Sequence, residues 1–151
     1  MSISAQYQVL FNGIIHAFKE ISPKQVTILS PSSFTAPNMH LEYSVLINVI
    51  GDVKARMIID SNHNSFQKLC ESLYGFQIDG ELLESFVGEF GNMVAGKLCI
   101  YSAEHNIQLD ITTPTVMVSE THLPISTQTF TLPISMEEIG HVTMLLSIEA
   151  S

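Results

Sequence analysis

The chain has 151 residues, 46% of them hydrophobic, which predicts one domain with a buried core and excludes a disordered chain. Charged residues are few and lopsided, 15 acidic against 6 basic for a net charge of −9. That balance repels phosphate backbones and anionic lipid, so nucleic acid and membrane surfaces are excluded as partners and a basic protein surface is favoured.

The N-terminal Met-Ser-Ile-Ser-Ala-Gln-Tyr lacks the basic and apolar stretches of a signal peptide. Residues 4–21 then place Tyr7, Leu10, Phe11, Ile14, Ile15 and Phe18 at helical spacing, with Pro23 just past the end. A short strand is expected over 25–30, and a Pro-, Ser- and Asn-rich loop over 31–40. Tyr43, Val45, Ile47 and Val49 alternate as in a strand. Gly51-Asp52 supplies a turn, and Val53 to Ile59 returns. Asn62 is placed to cap a helix through Phe66, Leu69, Cys70 and Leu73, which Gly75 stops.

A long helix follows over 79–105, with Asp79 as N-cap and Ile78 placed to staple onto Leu83. Leu82, Leu83, Phe86, Val87, Phe90, Met93, Val94, Leu98 and Ile100 recur at steps of three and four and are expected on its buried face. The opposite face carries Ser85, Glu89, Asn92 and Gly96, all within roughly 60° of Glu89 at about 100° per residue. Glycine costs about 1 kcal/mol against alanine in a helix, yet Gly88, Gly91 and Gly96 all lie here. Close approach of another backbone is the usual reason. Gly91 points nearly opposite Glu89, so it belongs to packing against a sheet.

Beyond the helix, 107–111, 115–118, 127–134 and 141–148 are rich in Thr, Val and Ile and read as strands. Pro114, Pro124 and Pro133 are expected at strand starts or sheet edges. Strands follow strands instead of alternating with helices. The expected fold class is therefore α+β, a mostly antiparallel sheet with helices packed against it in one domain spanning 1–151. Each half runs helix then strands, which hints at an internal duplication.

No segment is long and apolar enough to span a bilayer. His16, His40, His63, His105, His122 and His141 show no metal-ligand spacing with one another, with Cys or with acidic residues. Cys70 and Cys99 read as two reduced, buried thiols of a cytoplasmic protein. Phosphate-binding loops and Ser or Cys nucleophile signatures are absent. What remains is the patch on the long helix, where Glu89 and Asn92 are neighbours three residues apart. A Glu and an Asn on a helix exterior are ordinarily just solvated. Here they stand between the small residues Ser85 and Gly96, on a landing surface with room for another molecule.

Ser85-x-x-x-Glu89-x-x-Asn92, then Gly96, then Pro114 within Ile-Thr-Thr-Pro-Thr-Val, resembles the CheC/CheX/FliY family of chemotaxis phosphatases. The single motif and the Gly51-Asp52-Val53-Lys54 hairpin look most like its CheX-type members. The resemblance runs from about Tyr43 to Val118, with the first helix fitting more loosely.

The resemblance implies a pseudo-duplicated CheC-like fold whose long helix carries the active site. It also implies hydrolysis of the aspartyl phosphate on a CheY-like response regulator, in chemotaxis or related two-component signalling. Asn92 would position the attacking water, and Glu89 would pair with the receiver's active-site lysine. Ser85, Gly88 and Gly96 would give the receiver clearance, and Pro114 would brace the neighbouring loop. No cofactor of its own is implied, since Mg²⁺ belongs to the receiver. CheX-type members are typically homodimers, and the apolar strand runs near the C-terminus offer an edge for that.

Two departures stand out. CheC- and FliY-type members usually carry the motif twice, whereas the first helix here has Asn12 but Val9 in place of the Glu, so one centre is expected. The interval from Asn92 to Pro114 is also about one residue short of the family pattern. The alternatives are a non-catalytic module on the same scaffold, which sequesters a phosphorylated receiver or docks at the flagellar switch, and a purely structural subunit that dimerises through the small-residue helix face.

Overall fold

Alternating apolar residues along two long hairpins build the sheet on which everything else rests. The computed structural model describes residues 3–34, 38–124 and 129–148. Met1 and Ser2, positions 35–37 of the expected loop, and Thr127 and Gln128 of an expected strand lie outside them. Among the described residues the chain runs α1 (Ile3–Ile21), β1 (Val26–Ile28), β2 (Ser32–Phe34), β3 (Asn38–Leu41), β4 (Tyr43–Gly51), β5 (Ala55–Ser61), α2 (His63–Tyr74), α3 (Gly80–Glu104), β6 (Leu109–Ile111), β7 (Thr115–Met117), β8 (Thr121–Pro124), β9 (Thr129–Met136) and β10 (Gly140–Ile148).

The main sheet has the order β1-β9-β10-β5-β4-β6, with β2 also beside β9 and β7 also beside β4. Its pairings are antiparallel, and β3 and β8 form a separate antiparallel ribbon. This is the expected α+β class, and the duplication is plain in the pairing. A helix, two short strands, a ribbon strand and a long hairpin occur twice, with α2 between them. Each half lends its two short strands to the other half's hairpin, and β5 meets β10 at the centre.

Side chains alternate across the sheet because the strand period is two. Val45, Ile47, Val49, Met57, Ile59, Leu132, Ile134, Met144 and Leu146 face the helices and form one core with them. Ile58 and Leu145 face the other way, under Met39 and Leu41 of the ribbon. Phe18, Phe66 and Phe90 are fully buried, each contributing about 1.5–3 kcal/mol. Helices α1 and α3 lie side by side, with Phe18 edge-on to Phe90 at 5.7 Å between ring centroids. Gly13 allows the contact, since a Cβ there would stand 2.7 Å from Leu98 Cδ1.

The sequence misses short strands and one proline. The stretch expected as a loop over 31–40 holds β2 and part of β3, and β8 was not expected. Strands of three or four residues carry too few alternations to register as a pattern. Pro133 lies inside β9, opposite Thr143, and not at a strand end. Its carbonyl accepts from Leu29 N at 3.0 Å. In an antiparallel ladder a residue's N–H and C=O face the same neighbour, so the missing N–H also faces that edge. There the edge breaks into β1 and β2. The other edge breaks likewise between β6 and β7, at Pro114.

Two residues expected in the core are not there. Leu82 and Ile100 are 68% and 65% exposed. Seven residues before and eleven after Glu89, each returns to within about 20° of it at 100° per residue. They lie on the polar stripe by the helix's own geometry.

Candidate functional site

Both ends of the segment leading into α3 are fixed by their own side chains. The Asn62 side chain accepts from Ser65 N at 2.8 Å and opens α2. Gly75 closes it in the left-handed conformation, φ 83°. Asp79 opens α3, accepting from Gly80 N at 2.7 Å and meeting His63 Nε2 at the same distance. The His63 bond first, and the Gly80 amide second, hold the Asp79 carboxyl below its ordinary range.

One wall of a groove of ≈ 670 Å³ is α3, through Glu81, Glu84, Ser85, Gly88, Glu89 and Asn92. The other wall is Pro114 and Val116, at the break between β6 and β7. Ser85, Glu89 and Asn92 are exposed, and Gly88 and Pro114 are half-buried. Five of the six positions singled out in the sequence thus come together. Gly96 does not line the groove. The groove occupies the flank of the helix between the Glu89 stripe and β7, and Gly96 lies on the stripe beyond it. The same geometry explains why Glu81, Glu84 and Val116 were missed. They are on that flank, and only the placement of β7 reveals which flank is walled.

The groove's lining residues carry three carboxylates and no basic group. Glu89 and Asn92 are exposed and, among the described residues, bond to no other side chain, so both are presented outward. A negative, small-residue recess of this kind suits a cationic group from another molecule, with an amide beside it that both donates and accepts.

The glycines separate by what surrounds them. A Cβ at Gly91 would stand 2.8 Å from Val45 Cγ1, so this glycine lets α3 approach β4. At Gly88 it would meet only Val116 Cγ2 at 3.4 Å, and at Gly96 nothing within 4 Å. Gly91→Ala is therefore expected to destabilise the fold by about 1–3 kcal/mol through overpacking. Gly96→Ala is expected to stabilise it by up to about 1 kcal/mol through helix propensity. Urea midpoints read both, and a stabilising Gly91→Ala would remove the close-approach argument.

The pseudo-equivalent groove beside α1 has another character. Asn12 and Pro31 stand where Asn92 and Pro114 stand, but Tyr7, Phe11, Ile15 and Phe130 make its walls apolar. Val9, in place of Glu89, packs against the core. That groove has no carboxylate among its lining residues.

Elsewhere the histidines acquire partners that sequence spacing did not reveal. His40 Nδ1 and His122 Nε2 are 2.7 Å apart across the ribbon, and His63 meets Asp79. Among the described residues no group of three or more His, Cys, Asp or Glu is placed to hold a metal ion. Cys70 and Cys99 are free, and burial pushes both thiols up, with Asp110 adding to the effect at Cys99. No helix among the described residues is long and apolar enough to cross a membrane.

A family model described as chemotaxis phosphatase CheX matches residues 43–135. That span takes in the hairpin, α2, all of α3 and Pro114. No curated protein matches the chain. Among solved structures, a CheC-like superfamily protein from Shewanella sp. PV-4 is similar with a TM-score of 0.79 at 18% identity, covering 99% of this chain and 100% of that one. A chemotaxis protein CheX from Desulfovibrio desulfuricans has a TM-score of 0.78 at 14% identity, covering 94% and 97%. A CheX-CheY-BeF3-Mg²⁺ complex from Borrelia burgdorferi is similar with a TM-score of 0.75 at 16% identity, covering 95% and 97%. At these identities the likeness is one of fold.

Proposed function

The chain belongs to the CheX family of chemotaxis phosphatases, and on that premise we propose that it hydrolyses the aspartyl phosphate of a CheY-like receiver. The observation that carries this reading is the groove itself. Glu89 and Asn92 stand together on an exposed, small-residue face, walled on one side by Pro114.

The chemistry asks little of the protein. An aspartyl phosphate is an activated acyl phosphate, and the receiver brings its own Mg²⁺. What is lacking is a water held in line with phosphorus, and phosphoryl transfer depends mostly on positioning and electrostatics. Asn92 offers a carbonyl to accept from that water and an amide to donate. Glu89 would be a poor neighbour for a phosphoryl group unless a cation met it, so its role is to dock against the receiver's lysine. Ser85 and Gly88 keep the helix low enough for the two surfaces to close. The complex of a CheX with a CheY in Borrelia burgdorferi supports a receiver as the partner. A homodimer belongs to the same proposal, to be read by light scattering.

Purified protein mixed with CheY-type receivers from the same organism, labelled by acetyl phosphate, is expected to accelerate phosphate release well beyond receiver self-hydrolysis. Tight binding without acceleration would replace the phosphatase by a sequestering module.

A further inference from the structure

Three apolar side chains between the end of α2 and the first turn of α3 are exposed. Tyr74, Phe76 and Leu82 are 50%, 57% and 68% exposed. Two of them are joined ring to ring, and the third is one helical turn from the ring that Tyr74 packs on. The Tyr74 ring lies 6.4 Å from Phe76 and 6.0 Å, edge-on, from Phe86. Phe86 is buried, one helical turn after Leu82 on α3.

The chain holds these groups in place. Gly75 adopts φ 83° and turns the backbone so that Phe76 follows directly on the end of α2. Gln77 Nε2 donates to Glu71 Oε2 at 3.1 Å, and Gln67 Nε2 donates to Ile78 O at 3.0 Å. Phe76 therefore sits on a pinned link. Leu82 lies in line with Glu89, two turns before it on the same stripe. Single exposed apolar residues are ordinary, but a contiguous shelf of them marks an interaction site. Aromatic anchors beside a polar rim are the usual centre of such a site.

We infer that Tyr74, Phe76 and Leu82 form an apolar shelf that docks the receiver, continuing the exposed Glu89 stripe toward the N-terminus of α3 on the flank opposite the groove. The inference rests on the proposed function and adds the second half of its contact surface. The fit is set by what else α3 carries. Glu81, Glu84 and Glu89 line the groove on the other flank of the same helix. The complementary surface is one that presents an apolar side chain next to a lysine. No atom of the shelf lies among the groove's lining residues, so it acts on affinity and on the choice between receivers, not on the chemical step.

The test uses Phe76→Ser, Leu82→Ser and the double variant, all at exposed positions. Tyr74 is left intact because it packs on Phe86. Phosphate release from acetyl-phosphate-labelled receivers gives kcat and KM, and titration with a beryllofluoride-loaded receiver gives Kd. The double variant is expected to raise KM and Kd about tenfold or more, with kcat within about twofold of wild type and an unchanged melting temperature. Unchanged KM and Kd in the double variant, beside an active wild type, would overturn the shelf alone. So would conversion of a dimer to a monomer with KM unchanged, which would assign the shelf to a second copy of this chain. An inactive wild type that also fails to bind would overturn the proposed function and the shelf with it.

Discussion

Asn92→Ala is expected to lower kcat for receiver dephosphorylation about 100-fold or more while leaving the unfolding transition where it was. The two parts of this expectation have separate causes. The side chain is exposed and supports no neighbour in the fold, so its loss leaves the core untouched. Its loss from the groove removes both the acceptor and the donor that would hold a water, and nothing else in the lining offers an amide. Asn92→Asp is expected to fail almost as badly. It keeps an acceptor but discards the donor, and it adds a carboxylate beside Glu81, Glu84 and Glu89. KM should move far less than kcat, because the water is positioned only once the receiver is bound. Stopped-flow phosphate release at saturating receiver measures the difference. A wild-type rate from Asn92→Ala would take the chemical role away from this residue.

Much of this site was legible because it is local. A cap at Asp79, a stop at Gly75 and a patch at positions 85, 89 and 92 are set by short-range rules. The angle of Gly91 away from that patch already assigned it to the sheet, where Val45 receives it. What the sequence does not carry is what lies beside the helix. Helical geometry placed Gly96 with Glu89, and only the position of β7 shows that the recess is on the flank holding Gly88 and Glu84. Period alone also drew Leu82 into the core, although its seven-residue offset puts it in line with Glu89. Long-range pairing was beyond reach for the same reason. His40 meets His122 only because β3 pairs with β8. Likewise, Pro133 is tolerated inside β9 only because the edge opposite it is broken.

Glu89→Lys should raise KM for the phosphorylated receiver by about 30-fold or more, the equivalent of about 2 kcal/mol. Glu89→Gln should have a smaller effect in the same direction. The amide removes an attraction, whereas the lysine adds a repulsion against the receiver's own cation. Salt dependence separates this from a loss of shape. Wild-type KM is expected to rise between low and physiological ionic strength, as screening weakens a charge pair. With Gln at position 89 that slope should flatten, and with Lys it should reverse in part, because salt then relieves a repulsion. Glu81 and Glu84 remain to attract the receiver, so some salt dependence persists in the Gln variant. A receiver whose active-site lysine is replaced by glutamate should bind the Glu89→Lys protein better than it binds wild type, even if turnover stays low. Equal salt slopes in wild type and Glu89→Gln would rule out docking through this charge. Glu89 would then have to act at the phosphoryl group itself, beside the water that Asn92 holds.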